Sequence, residues 1–179
     1  MRLEAVRGMD SPHFAALWEL YKSAFPPDER RDLEKQKALF GRAEYRLFTA
    51  VDEGEMVGLL SLWEFGDFVF IEHLAVKEES RGRGAGTAIV EGYLAGRKRR
   101  VLLEVEPPRT AIQKKRISFY QKLGFILNTY DYIQPPYGPG KKPVPLLLMS
   151  YPEAISETGF AEARRKIHTS VYGLEKPLE

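Results

Sequence analysis

The sequence predicts a mixed α/β fold in a single domain. Three observations lead there. Two apolar-rich runs, 45–51 and 57–63, flank Glu53-Gly54 in the manner of a β-hairpin. A glycine-rich junction at 81–87 joins an apolar run to a helical pattern, and helix and strand then alternate to residue 151.

Each element follows from local pattern. Residues 3–6 open as a short edge strand. Ser11-Pro12 reads as N-cap and first helical position before Phe14, Leu17, Leu20 and Tyr21, which recur at helical spacing. Phe25-Pro26-Pro27 ends that helix, and a second, charged helix is expected from Asp28 toward Phe40. The hairpin follows, and Gly66-Asp67 turns the chain into a strand over 68–76. Ala85, Ala88, Ile89 and Tyr93 mark a helix after the glycine junction. Residues 101–105 form a compact strand, and 110–123 a helix that stops at Gly124. Strands are expected at 125–133 and 144–151, with a helix from Pro152 through Ile167. Parallel pairing is expected where a helix connects two strands. Residues 1–151 would form the domain, with 152–179 a helical extension packed on it.

Composition narrows the function. The 179 residues are 44% hydrophobic and 29% charged, the profile of a globular protein. No apolar run nears the roughly 18 residues that span a bilayer. The first residues lack the apolar stretch of a secretory signal. There is no cysteine, which excludes disulfides, thiolate metal sites and a cysteine nucleophile, and a cytoplasmic location is expected. His13, His73 and His168 are scattered without metal-ligand spacing, so no metal is expected. A net charge of +2 is too mild to imply nucleic acid. The one dense basic cluster, 97–100, reads as a solvated connection after a helix C-terminus.

The junction Arg81, Gly82, Arg83, Gly84, Ala85, Gly86, Thr87 carries the chemistry. Glycines let the backbone turn tightly and let a bulky anion approach the amides. A helix N-terminus adds unpaired N–H donors and a positive dipole end, so phosphate is a natural guest. A Walker A loop would need Gly-Lys-Ser/Thr, which is absent. The G-x-G-x-G spacing also differs from a dinucleotide fingerprint.

Leu74-Ala75-Val76 followed by Arg81-x-x-Gly84-x-Gly86 resembles the R/Q-x-x-G-x-G/A signature of GNAT acetyltransferases. Phe119-Tyr120-Gln121-Lys122-Leu123-Gly124-Phe125 is similar to that family's second segment, F/L-Y-x-x-x-G-F. Segments 25–31, 132–137 and 148–150 resemble poorly characterised bacterial members. The resemblance implies the GNAT acyl-CoA N-acyltransferase fold: a mixed, mostly antiparallel sheet with splayed central parallel strands, flanked by helices. It also implies acetyl-CoA as co-substrate. Pantetheine would run along Leu74, Ala75 and Val76, and pyrophosphate would lie on Arg81–Thr87. Gln113, Phe119 and Lys122 would contact the coenzyme, although Gln113 stands where many members carry asparagine.

Acetyl transfer to an amine needs a base, an oxyanion donor and an acid for the departing thiolate. The resemblance places Tyr120 beside the coenzyme sulfur as the acid. Its other reading is a core aromatic on an amphipathic helix. Strict alternation over 68–76 sets Phe70, Glu72, Leu74 and Val76 on one face, with Ile71, His73 and Ala75 on the other. Glu72 is then a candidate base, because a carboxylate in such a strand needs pairing or a function. A structural ion pair is the competing reading. Glu104 is a rival base or an ammonium-binding group, and water is a third candidate. The amide of Leu74 or Ala75 is the candidate oxyanion donor.

In the family, the acceptor usually sits between the first helices and the last hairpin. There Phe25, Glu29, Trp63, Tyr132 and Tyr137 are candidate lining residues, and aromatics with acidic groups suit a cationic amine. The expectation is therefore acetyl transfer to a primary amine of a small molecule, by direct attack in a ternary complex. A protein N-terminus or lysine, or a silent acetyl-CoA-binding module, are the alternatives. Neither nucleic acid nor membrane is expected as a partner, and homodimerisation is compatible with the fold.

Overall fold

The structure is a computed structural model that describes residues 1–96 and 98–178 in two compact units, Met1–Arg99 and Arg100–Glu179. Arg97, in the basic cluster read from sequence, lies outside the described residues. Among the described residues, no helix is long and apolar enough to cross a membrane.

The first unit contains β1 (Arg2–Ala5), α1 (Phe14–Ala24), α2 (Leu33–Ala38), β2 (Tyr45–Asp52), β3 (Glu55–Glu64), β4 (Phe68–Val76) and α3 (Ala85–Leu94). β1 to β4 form an antiparallel meander in chain order. At the hairpin, Glu53 and Gly54 both have positive φ, 50° and 88°, the signature of a two-residue turn whose twist matches the strands. Leu59, Leu60, Leu62, Trp63 and Phe70 are fully buried on the two faces of the sheet, and α1 buries Phe14, Leu17, Leu20 and Tyr21, the set its spacing predicts. Fully burying each large side chain contributes roughly 1.5–3 kcal/mol before entropy is counted.

Two expectations for this unit need correction. α1 starts at Phe14, not Pro12. Ser11 Oγ instead accepts from the amides of Arg7 and Gly8, and His13 enters the helix with a φ of 63°. The chain over 28–40 is not one helix either. A single 3-10 turn, Pro27–Glu29, precedes extended backbone at Arg30, and α2 begins only at Leu33. The extended stretch delivers Arg31 to the sheet, where its guanidinium pairs with Glu72.

The second unit contains β5 (Arg100–Val105), α4 (Ala111–Lys122), β6 (Ile126–Leu127), β7 (Tyr132–Gln134), β8 (Val144–Tyr151) and α5 (Glu157–Ser170). β8 pairs antiparallel with β5, and also with β6 and β7. The strand expected over 125–133 is thus two short strands. Asn128 explains the break: its buried amide donates to Leu148 O and Ser150 Oγ and accepts from Ile155 N at 3.1 Å. That tie holds the approach to α5, which begins at Glu157 rather than Pro152, behind a Ser156 cap. α4 opens on a reciprocal capping box between Thr110 and Gln113, and Gly124, with φ of 89°, ends it as expected.

Gly58 fixes how α3 lies on the sheet. A Cβ there would sit 2.6 Å from the carbonyl oxygen of Ala75 and 2.9 Å from Ile89 Cδ1. The carbonyl cannot step aside without disturbing the β3–β4 ladder. Gly58→Ala should therefore lower unfolding free energy by about 1–3 kcal/mol in urea titration, although alanine is ordinarily the better strand residue.

Candidate functional site

The first unit supplies the glycine junction. After β4 the chain makes a 3-10 turn, Glu78–Ser80, and Arg81 Nε donates back to Val76 O at 3.1 Å. Gly82 and Gly84 have φ of 74° and 82°, and a Cβ at either would meet nothing within 4 Å. Backbone conformation, not crowding, therefore calls for glycine there. Gly84 is the N-cap of α3, and no side chain caps the helix; its first turn carries no acidic residue. Arg81 and Arg83 are exposed beside this start, and Gly86 and Thr87 are half-buried within it. Open amides, a dipole end and two guanidiniums together fit a pyrophosphate.

β4 departs from strict alternation at the residue of most interest. Ser61 pairs with His73, while Leu62 pairs with Ile71, so Glu72 is the extra residue of a β-bulge. Ile71 and His73 consequently face opposite sides, correcting the face assignment made from sequence. Glu72 turns to the Trp63 side with His73. Its carboxylate accepts from Trp63 Nε1 at 3.0 Å and forms an ion pair with Arg31. The Glu72 side chain is 0% exposed, yet the residue as a whole is only half-buried. What solvent reaches at this position is the backbone.

The same holds one step on. Lys77 N donates to Val57 O at 2.9 Å, so alternation turns the Ala75 amide toward β3 and those of Leu74 and Val76 toward the strand's other edge. Leu74 and Val76 are half-buried and Ala75 is buried. Of the two candidate oxyanion donors, Leu74 has the outward amide.

Burial works against the Glu72 charge, but Arg31 and the Trp63 bond outweigh it and hold the carboxyl below its ordinary range. His73 is pushed down by burial, so it stays neutral and its 3.8 Å approach to Glu72 is a polar contact, not an ion pair. Its Nε2 lies 2.9 Å from Glu29 O, which makes Nε2 the protonated nitrogen and Nδ1 the acceptor toward Ser61 Oγ. Phe25 packs on the same imidazole at 4.4 Å.

Trp63 is fully enclosed, beneath the guanidiniums of Arg31 and Arg42. It cannot touch a ligand without the core opening, so it does not line a pocket as the sequence suggested. Phe25 and Glu29 are half-buried on the segment leading to Arg31.

The second unit supplies Tyr120, a buried residue whose ring packs edge-on against Phe119 and Phe125. Burial raises its phenol to about 12, so at neutral pH it is a proton donor and not a base. Phe119 is half-buried and Lys122 exposed. Gln113 is occupied: its Oε1 accepts from the amides of Arg109 and Thr110, and its Nε2 donates to Glu106.

Glu104 is half-buried and accepts from two phenols, Tyr132 and Tyr172, the latter at 2.8 Å. Tyr137 is buried, its ring 4.9 Å from that of Tyr172. His168 backs the cluster with its ring 5.3 Å from Tyr132, and burial followed by Arg164 holds its pKa down at about 4. Sequence reading missed Arg31, Tyr172 and His168. Arg31 follows a Pro-rich segment with no periodicity, and Tyr172 lies two residues past the end of a helix. The only local hint was the density of aromatic and basic residues.

A family model described as the acetyltransferase (GNAT) family matches residues 14–125, more than half of the chain. The chain belongs to that family, and its fold is the GNAT fold, mixed α/β with a mostly antiparallel sheet flanked by helices. A solved candidate acetyltransferase of the GNAT family from Bacteroides thetaiotaomicron is 34% identical, with a TM-score of 0.91 over 98% of this chain and 100% of that one. The candidate acetyltransferase YjbC of Bacillus subtilis (strain 168) is 31% identical over 110 residues, 60% of this chain. The match spans 55% of the length of that curated relative. An aminoglycoside 6'-N-acetyltransferase solved with coenzyme A shares the fold at a TM-score of 0.60 and 19% identity, over 88% of this chain and 100% of that one.

The buried groups around the bulge make stability depend on acidity in one direction. His73 and Glu72 both have folded pKa values below their unfolded ones, so the unfolded chain binds more protons and stability rises with pH. The His73 contribution is complete above about pH 6.5 and is lost as pH falls below it; that of Glu72 begins to fail below about pH 4.5. Urea midpoints should fall steadily from about pH 7.5 to about pH 4. In Glu72→Gln the starting midpoint should be lower and the loss below about pH 4.5 smaller.

Proposed function

We propose that this chain transfers an acetyl group from acetyl-CoA to a primary amine of a small molecule, by direct attack with both substrates bound. The observation that carries the reading is the open start of α3, reached through Gly82 and Gly84 and flanked by Arg81 and Arg83. These residues would hold the coenzyme phosphates, and Leu74 to Val76 would receive the pantetheine along their outward backbone. Acetyl-CoA supplies an activated acyl carbon and a thiolate leaving group.

The residues divide the remaining work. The Leu74 amide is the donor for developing oxyanion charge. Tyr120 carries a proton that it keeps at neutral pH and can give to the departing sulfur as the C–S bond breaks. Glu104 with Tyr132, Tyr137 and Tyr172 receives the acceptor: a carboxylate among aromatic rings attracts an ammonium by charge and by ring quadrupole. The amine nitrogen must lose its proton before the C–N bond forms, and Glu104 or water takes it. Glu72, fully buried and paired with Arg31, is assigned to support and not to proton transfer.

Acetyl-CoA at about 100 times its Kd should stabilise the protein by about 2.7 kcal/mol in thermal-shift or urea experiments. Absence of any shift at millimolar ligand would sink the reading. In a free-thiol assay over a panel of amines, Tyr120→Phe should cut kcat by about 100-fold or more while acetyl-CoA affinity stays within about twofold. Turnover of lysine-containing peptides but of no small amine would redirect the acceptor assignment to protein.

A further inference from the structure

Arg31 does more than neutralise a buried carboxylate. Its guanidinium binds the bulge residue of β4, Glu72, and both partners are held by further contacts. Its amide donates to Tyr21 Oη at 2.8 Å, its guanidinium lies 5.8 Å from the centre of the Trp63 ring, and Trp63 Nε1 bonds the other Glu72 oxygen. Two residues before Arg31, Glu29 O accepts from His73, the neighbour of Glu72 in the bulge. The segment from Phe25 to Arg31 is therefore fastened to both bulge residues, at the point where the β4 backbone reaches solvent.

A β-bulge is a local excess of chain whose exact dihedrals the ladder does not dictate. Here side chains dictate them: Arg31 and Trp63 fix the Glu72 carboxylate, and Glu29 and Ser61 fix the His73 ring. The next amide in the chain is that of Leu74. Donors aimed at developing charge are effective only when they are held in place beforehand.

We infer that Arg31 is a positioning residue: by clamping the Glu72 bulge it sets the direction of the Leu74 amide and so governs the acetyl-transfer step without touching either substrate. This rests on the acetyltransferase reading for its catalytic part and stands apart from it for its structural part. A planar guanidinium that meets Glu72 with one nitrogen while lying near the Trp63 ring suits the role, and lysine, a point charge on a flexible stem, does not reproduce it.

The test uses the whole chain and three variants: Arg31→Lys, Arg31→Met, and the double variant Arg31→Met/Glu72→Gln. The double variant leaves no unpaired charge in the core and so guards against simple unfolding. Amide hydrogen exchange is followed for Ile71 to Leu74 against the rest of the β3–β4 ladder. Clamping predicts that these amides exchange at least about tenfold faster in the double variant while the flanking ladder is unchanged, with Arg31→Lys intermediate. In turnover, kcat should fall at least about tenfold while acetyl-CoA affinity stays within about twofold and the acidic limb of the pH–rate profile does not move.

Unchanged exchange at Ile71 to Leu74 in a folded variant overturns the inference. So does an acidic limb that rises in Arg31→Met, because that would make Glu72 itself the titrating base. If the wild-type chain neither binds nor uses acetyl-CoA, the functional reading fails, and exchange alone still decides whether Arg31 clamps the bulge.

Discussion

The buried ion pair between Arg31 and Glu72 is the constraint around which the first unit is organised. A carboxylate at 0% side-chain exposure and a guanidinium at 5% have both given up hydration, and attraction alone seldom repays that. Additional donors offset the rest: the Trp63 indole on the carboxylate and the Tyr21 hydroxyl on the Arg31 backbone. The consequence reaches the backbone. Arg31 must arrive extended, which forbids a continuous helix after Pro27, and Glu72 must turn inward, which takes a bulge in β4. One pair of charges thus shapes both a loop and a strand.

The second unit handles buried polarity differently. Asn128 satisfies both ends of its amide through neighbouring backbone and Ser150, with no charge involved. Glu104 accepts from the hydroxyls of Tyr132 and Tyr172. A phenol brings a dipole to a carboxylate, whereas the guanidinium on Glu72 brings a full charge. The contrast is what separates the structural part of Glu72 from the ligand-facing part of Glu104 in the reading offered above.

Most of the secondary structure was legible because it rests on local rules. The hairpin at Glu53-Gly54, the amphipathic face of α1, the stop of α4 at Gly124 and the glycine junction all depend on residues within one or two turns of each other. The illegible parts depend on partners far along the chain. Nothing near Asp28 says that Arg31 is wanted 41 positions later, and nothing near Asn128 announces Ile155. The bulge is the sharpest case, since alternation over Phe68–Val76 looks regular in sequence and is broken only because Glu72 has a remote claimant. Trp63 was misplaced for a related reason: an aromatic near a predicted pocket and an aromatic capping a buried charge look alike until the charge is located.

α4 and α5 cap their own first turns with Thr110, Gln113 and Ser156. α3 has no such side chain and reaches its first turn through two left-handed glycines. That end of the helix is left without a side-chain cap for its first amides. If this start holds the coenzyme phosphates as proposed, its order would be tied to ligand supply, and the junction would act as a local reporter of occupancy: loosest when the protein is idle, firmest when it is loaded.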